Sequence, residues 1–455
     1  MKNLTKYMMA AAMMCAATGM SAQALSSGYF LDGYLFKHQL NPALKSDKAY
    51  LSIPMLGNIN VATKGNIGLG NFLYPTANGG LTTFMNSSVS AQEFLNGLKD
   101  NNRLVANVDM TLASMGLKSF GGFSTVEVGL RSHSSVNIPK DMLEFMKVGQ
   151  NGPKSVYDLG DMGMSSANYL EVALGHSRQI GDKLRVGAKA KILLGMMYAD
   201  MTMKNTHIEL GEDKWVVNAN GEMNIAIGGL TVPEKENGLV DFDNMDVDKP
   251  GLGGFGLAFD LGATYEVIDN LTLSAAIKDL GFMNWKDNTY ASTKNEPWEF
   301  DGFEDLSFSD EENKLENQLD DLGDEFEDYA NLHLRSTGGK LNKALAATLV
   351  VGVEYALPVY DKLSFGLLST TKINGPYSWS EGRLSANVSP LSWLEGGVNV
   401  AVSTFGTSAG WILNFHPKVF SFFVGMDCLI GKVNPQFIPV DNANANISCG
   451  FNVTF

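Results

Sequence analysis

Cysteine is scarce here, with only three in 455 residues. Cys15 falls in an N-terminal leader-like stretch, so Cys428 and Cys449 remain, too few for a disulfide-stapled scaffold. Long apolar runs are missing too. Past the N-terminus no stretch approaches the ~20 residues of a membrane-spanning helix, and mean hydropathy is −0.04. This excludes a helical membrane protein but not a β-barrel, whose polar lumen residues offset those facing lipid. Positive charge is short as well: 34 Lys and Arg stand against 49 Asp and Glu, for a net charge of −15. Without a basic stripe to neutralise phosphates, nucleic acid is not a partner.

The signatures of chemistry are equally absent. No HExxH, GxSxG, P-loop or CxxC spacing occurs, and the six histidines are scattered. Gly251-Leu252-Gly253-Gly254-Phe255-Gly256 formally matches a dinucleotide fingerprint, but that motif must join a strand to a helix. Here an alternating strand follows at once. The chain therefore reads as non-enzymatic, with no cofactor and no metal.

What is present begins with a secretory signal over residues 1–24. Lys2 and Lys6 are its basic start, Tyr7 to Ala17 its apolar core and Ala22-Gln23-Ala24 its cleavage site. Bulky Met13-Met14 argues against lipidation at Cys15. At the other end, Ile447, Cys449, Phe451, Val453 and Phe455 alternate with Asn446, Ser448, Gly450, Asn452 and Thr454. Alternation makes one face of a strand apolar and the other polar. A soluble sandwich would show the same pattern. The terminal Phe455, however, resembles the assembly signal of bacterial outer-membrane barrels, which implies the barrel assembly machinery as a partner.

Between these ends the pattern repeats. Leu257, Phe259, Leu261, Ala263 and Tyr265 oppose Asp260, Gly262, Thr264 and Glu266. Leu345, Ala347, Leu349, Val351, Val353 and Tyr355 oppose Thr348, Gly352 and Glu354, while Leu184, Val186, Ala188, Ala190 and Ile192 oppose Arg185, Gly187, Lys189 and Lys191. Three versions of one tight turn join such strands, at Gly181-Asp182-Lys183, Ile268-Asp269-Asn270 and Tyr360-Asp361-Lys362; Ser389-Pro390-Leu391 and His416-Pro417-Lys418 are proline-bearing equivalents. Long connections at about 195–253, 283–342, 373–381 and 431–445 alternate with the short turns. This is the layout of an outer-membrane barrel, short turns on the periplasmic side and long loops outside. The predicted fold is all-β: a closed antiparallel transmembrane β-barrel of about 14 strands. Sixteen result if Trp215–Asn218 and Met223–Ile227 enter the wall separately. The first strand spans Ala49 to Ala62, with Pro54 at an edge or bulge. Short loop helices are expected from Ser90, with Glu93 completing a capping box, and from Pro139.

One segment stands apart. From Glu296 to Asp328 about fifteen acidic residues face a single Lys314, and Leu315, Leu319, Leu322, Phe326 and Tyr329 recur at helical spacing. A solvated helix leaning on the rim, a docking site for a protein partner and a calcium site are the three readings. Inside the barrel, Glu127, Arg131, Arg185, Lys189, Asp260, Glu266, Lys278, Glu354 and Asp427 fall on polar faces with both signs represented. That mixture points to internal salt bridges or a wet lumen, not a single-sign filter. Cys428 and Cys449 fall on apolar faces of the last two strands and would oppose each other if Ile430 pairs with Ile447. Small side chains facing lipid are the simpler reading than a disulfide.

The signal, an Asn41-Pro42-Ala43 box soon after it, about fourteen strands and the terminal Phe455 together resemble the FadL-like outer-membrane barrels. That group includes fatty-acid and hydrocarbon transporters and PorV-type secretion components. The likeness covers nearly the whole mature chain in layout, but only the three box residues match as a motif. The chain departs in its short pre-box segment and its acidic insertion. The resemblance implies an N-terminal hatch over residues 25–48, a barrel over 49–455 in the Gram-negative outer membrane, and a hydrophobic small molecule as ligand. Leu31, Tyr34, Leu35 and Phe36 would plug the lumen or line its pocket, next to Asn41, Pro42 and Ala43. His38 beside them reads as a hydrogen-bonded structural residue. The alternative is a non-transporting scaffold whose acidic outer loop over 296–330 docks secreted proteins.

Overall fold

Period-two alternation over strands with no uncovered partner drives this chain to close on itself, because closure removes the unpaired edges of an open sheet. The computed structural model describes residues 25–46, 48–76, 78–149, 152–302, 315–428 and 444–455. Residues 1–24, where a secretory signal is expected from the sequence, residues 303–314 of the acidic segment and Ile430 lie outside the described residues.

Fourteen strand positions form the ring. They are β1 (Tyr50–Ser52 with Asn58–Gly65), β2 (Asn101–Ser119), β3 (Gly122–Pro139), β4 (Gly163–Ile180), β5 (Leu184–Met203), β6 (Gly221–Thr231 with Gly254–Ile268) and β7 (Leu271–Ser292). They continue as β8 (His333–Ala344 with Ala347–Ala356), β9 (Leu363–Ile373), β10 (Trp379–Leu391), β11 (Leu394–Ser403), β12 (Gly406–Phe415), β13 (Phe420–Met426) and β14 (Ala445–Thr454). Each pairs antiparallel with its neighbours, and β14 closes on β1 with Tyr50 opposite Thr454 and Ile59 opposite Cys449. The predicted Asp and Pro turns all lie at one end with the carboxy-terminus. The long connections lie at the other, where only β11 to β12 is joined by a tight turn.

Three irregularities explain where the alternation seen in sequence breaks off. Residues 53–57, with Pro54, bulge out of β1, and Met55 there has φ of 63°. In β5 an extra residue at Met196 shifts the register between Asn168 and Tyr169 of β4. It reverses the phase, so β5 continues to Met203 with Tyr198 and Asp200 turned inward, where a connection is expected from the sequence. Third, β6 is assembled from two pieces: Gly221–Thr231 pairs with the outer halves of β5 and β7, and Gly254–Ile268 with their inner halves. Met223–Ile227 thus shares a wall position instead of adding one. Trp215–Asn218 leaves the wall for a separate sheet with Val156–Asp158, His207–Leu210 and Pro297–Phe300.

The outer face is apolar. Leu174, Phe259, Leu261, Val351, Leu367, Leu384, Val398 and Val402 are exposed around the ring. Near the short-turn end Tyr265, Tyr355, Phe365, Trp393, Phe422, Phe451 and Phe455 form an aromatic girdle. The inner face is polar and covered: Asn446, Ser448, Asn452 and Thr454 of β14 are all buried. This is a transmembrane barrel, its apolar side toward lipid.

Beyond the wall, the small sheet carries a core of Tyr157, Ile208, Val217 and Trp298. Helix α1 (Ala91–Asn96) begins where Ser90 Oγ accepts the Glu93 N–H at 3.0 Å, and α2 (Lys140–Val148) begins after Pro139. The acidic helix α3 (Leu315–Ala330) packs on the small sheet through Leu322, Phe326 and Tyr329. The Tyr329 hydroxyl donates to the Val217 carbonyl at 2.6 Å and accepts the Ala219 N–H at 2.8 Å. It is a helix docked on a folded cap, with its acids turned outward at Asp320, Asp324 and Glu325.

The cysteines require a correction. Cys449 stands opposite Val424 of β13, four residues short of Cys428, so the two are not cross-strand partners. Both are free thiols. Cys449 keeps the lipid-facing position, but Cys428 lies beyond β13 and is buried. The alternation ends with the strand, so a face assigned past Met426 does not hold.

Candidate functional site: the plugged lumen

The segment from Leu25 to Ser46 runs inside the ring as two short 3-10 turns, Ser26–Gly28 and Leu35–Gln39. Four wall features seat it. At its start, Asp427 accepts the Ser26 and Ser27 N–H groups at 2.8 Å each and the Ser27 hydroxyl at 2.6 Å. A carboxylate at the first turn satisfies N–H groups that have no partner within the turn. Glu395 accepts the Gly33 N–H at 2.9 Å through Oε2. Asn41 donates to the Tyr29 hydroxyl at 3.1 Å and to the Ala275 carbonyl at 3.3 Å, while its own Oδ1 accepts the Ala43 N–H at 2.9 Å. Gln39 donates to Glu127 at 2.8 Å and accepts from Asn58 at 2.9 Å.

The Asn-Pro-Ala box sits where the wall has no side chains. Gly187 and Gly262 are directly paired across β5 and β6. A Cβ on Gly187 would lie 2.1 Å from the Pro42 carbonyl oxygen, and one on Gly262 would lie 2.0 Å from Asn41 Oδ1. Two adjacent glycines are what let the box lie flat on the sheet. Asn41 and Ala43 are fully buried.

Leu31, Tyr34, Leu35 and Phe36 are also fully buried, and they do not line an open pocket. With Leu25 they pack on inward-facing Tyr50, Phe123, Ile412 and Phe423. Tyr34 meets Phe423 edge-on with ring centroids 5.0 Å apart. His38 lies between two partners. The Lys189 ammonium can only donate, so the 3.3 Å contact makes Nδ1 the acceptor and leaves Nε2–H to donate to Tyr50 Oη at 2.9 Å.

Burial, followed by repulsion from Lys189, pushes His38 down to about 3 from its usual value. The folded pKa is below the unfolded one, so this seat is fully stable above about pH 6.5. As pH falls toward 3, a released plug takes up a proton that the seated plug refuses, and seating weakens by up to about tenfold per pH unit. Protease access to the plug should therefore rise between pH 7 and pH 4 in the native chain and rise less in His38→Gln. Equal profiles in the two would refute the assignment.

Above the plug the lumen is charged. Arg131 on β3 bonds Glu127 at 2.6 Å and Glu171 of β4 at 2.9 Å, with Asp109 of β2 at 3.8 Å. Lys191 on β5 reaches Asp279 at 2.6 Å, Asp260 at 2.8 Å and Glu171 at 3.6 Å; Lys189 lies 4.0 Å from Glu127. A bulge in β7 turns both Lys278 and Asp279 inward, with Asp279 at φ of 60°. These groups, Glu127 excepted, line a cavity of about 70 Å³, with Gln39 of the plug on its boundary. A layer of Tyr169, Leu193, Tyr198, Met283 and Trp285 forms a further inward cluster.

Of the lumen charges expected from sequence, the network gathers Glu127, Arg131, Lys189 and Asp260, with Lys278 at the same cavity. Arg185 and Glu266 stand apart near the short turns; Arg185 reaches Ser177 at 3.3 Å. Glu354 sits in a separate crevice with Tyr29, Asp32 and Lys37. Asp427 joins a second cluster: Arg383 bonds Glu381 at 2.8 Å and lies 3.7 Å from Asp427, and Lys64 bonds Glu381 at 2.7 Å. Sequence reading missed Asp109, Glu171, Asp279, Lys372, Lys64, Glu381 and Arg383. Parity counted along each strand would have found several, but Asp279 follows Lys278 directly and only the bulge turns it inward.

A family model described as "Family of unknown function (DUF5723)" matches residues 42–427. No curated protein matches the sequence. Among solved structures, the Ralstonia pickettii toluene transporter TbuX is 11% identical, with 91% of this chain and 92% of that one covered at a TM-score of 0.42. The Pseudomonas putida toluene transporter TodX is 8% identical, covering 96% and 95%, at 0.39. A Pseudomonas aeruginosa FadL homologue is 11% identical, covering 96% and 97%, at 0.38. What those proteins carry is a property of those proteins.

Proposed function

The chain belongs to the family described as "Family of unknown function (DUF5723)", and we propose a function for it from its lumen: an outer-membrane barrel, shut by its own N-terminal segment, that admits a hydrophobic small molecule when that segment withdraws. The observation that carries this reading is the inward apolar patch of Tyr50, Phe123, Ile412 and Phe423, which the plug covers with apolar side chains of its own. A lumen wall facing water has no use for such a patch, and uncovered it would suit a greasy ligand. Withdrawal is also compatible with an intact ring. Among the described residues, Leu25 to Ser46 makes no backbone-to-backbone hydrogen bond to the wall, so release breaks side-chain bonds and packing only.

The test is a lock. Asn399 donates to the Ser27 hydroxyl at 2.8 Å. Ser27→Cys with Asn399→Cys, in a background where Cys428 and Cys449 are serine, can be bridged by a short cleavable bis-thiol reagent. Uptake of an apolar dye into liposomes should stop on bridging and return on cleavage. Equal uptake by bridged and unbridged barrels would end the proposal.

A second reading, a scaffold for secreted proteins, is favoured by the folded cap, on which Tyr329 holds the acidic helix. Its sign would be a protein captured by the native chain and lost when residues 296–330 are replaced by a neutral linker.

A further inference from the structure

Two amines of the lumen stand outside its salt bridges, although five carboxylates face five cations there once both are counted. Asp109, Glu127, Glu171, Asp260 and Asp279 are each within 4.0 Å of Arg131, Lys189 or Lys191. Lys278 and Lys372 border the same cavity, yet neither has a carboxylate within that distance among the described residues; they feel Asp279, and Asp260 or Asp109, only at longer range.

Their placement is specific. Thr348 of β8 pairs with Lys278 of β7 on one side and with Lys372 of β9 on the other. The three side chains therefore form one row across three strands. Neighbouring strands lie ~4.8 Å apart, which sets the two lysine Cα atoms roughly 10 Å from each other. All three line the cavity. Two ammonium groups on flexible stems that border one cavity, on strands either side of a hydroxyl, repel each other, and an anion between them would relieve that repulsion. The carboxylates nearby lie closer to Arg131, Lys189 or Lys191.

We propose that this cavity is a binding site for a small anion of phosphate size, held by Lys278 Nζ, Lys372 Nζ and the Thr348 hydroxyl. Three donors on one side of an oxyanion make charge-assisted hydrogen bonds, stronger than neutral ones. A volume of about 70 Å³ lined by charged and polar side chains suits a single compact oxyanion better than a greasy molecule. The site is thus separate from the apolar patch beneath the plug, and it stands whether or not the barrel passes hydrophobic molecules.

Purified full-length barrel in detergent, titrated with inorganic phosphate by calorimetry at constant ionic strength set with sodium chloride, tests this. Saturable binding of one phosphate per chain is expected, displaced by sulfate and untouched by chloride. Lys278→Gln or Lys372→Gln should each weaken it by about tenfold or more, the scale of one charged hydrogen bond, while Lys204→Gln in an outer loop leaves it unchanged. Folding is verified by heat-modifiable mobility in SDS gels. No saturable binding by the native barrel overturns the proposal even if neither variant folds. Unaltered affinity in both folded variants overturns it as well.

Discussion

Gly187→Leu should unseat the plug and leave the barrel standing. The new Cβ would lie 2.1 Å from the Pro42 carbonyl oxygen and 2.5 Å from Ala43 N, both backbone atoms that no rotamer change can move aside. A leucine adds three more carbons in the same direction. The wall cannot yield, because Gly187 is paired on both sides, with Ser177 of β4 and Gly262 of β6. The plug can, since among the described residues side-chain bonds and packing hold it, with no backbone-to-backbone bond to the wall. Displacing the box removes the Asn41 bonds to Tyr29 and Ala275 and pulls on Gln39 and His38 next to it. Overpacking of this kind costs about 1–3 kcal/mol where neighbours can adjust; here the lost bonds add to that. The expected result is rapid proteolysis at Lys37 and Lys45 and leakage of small solutes from liposomes, with unchanged heat-modifiable mobility. Gly382→Ala, where an added Cβ meets nothing within 4 Å, should behave as native. A Gly187→Leu barrel that is tight to solutes and protects its plug would show that the box is not seated as described.

Arg131→Met should destabilise the wall strongly. The guanidinium is buried and answers Glu127 at 2.6 Å, Glu171 at 2.9 Å and Asp109 at 3.8 Å. As basic partners among the described residues, Glu127 and Glu171 would keep only Lys189 at 4.0 Å and Lys191 at 3.6 Å, and Asp109 only His133 at 3.5 Å. Breaking a buried ion pair from one side typically costs 3–5 kcal/mol, because a charge is left unanswered in a poorly solvated place. A loss of about that size is expected in urea unfolding from lipid vesicles. Glu127→Gln added to Arg131→Met should recover part of it by removing one stranded charge. The plug should loosen too, since Glu127 accepts from Gln39. If the variant unfolds at the same urea concentration as the native barrel, the network is solvated and contributes nothing.

Both experiments act on a plug and a network whose residues were visible in the sequence in unequal degree. The wall was legible because lipid and lumen impose opposite demands on alternate residues, and that demand is written directly as period two. Leu257 to Tyr265 and Leu349 to Tyr355 needed no tertiary knowledge. Where a bulge inverts the phase, at Met196 and at Asp279, the pattern ceased to be readable and the strands were drawn too short. The split of β6 left no local trace, since Met223–Ile227 and Leu257–Tyr265 are each ordinary strand sequences.

The chain by itself determined that it would form a closed ring with an apolar outside, short turns at one end and an acidic insertion at the other, because these depend on residue type and spacing along one strand at a time. Only the tertiary structure decided that Gly187 and Gly262 meet to seat Asn41-Pro42-Ala43, that Asp427 reaches Ser26 some 400 positions away, and that Lys278, Thr348 and Lys372 share a row. Those are facts of register between strands. Register is set by bulges, closure and the packing of the plug against the whole ring, none of which any single segment contains.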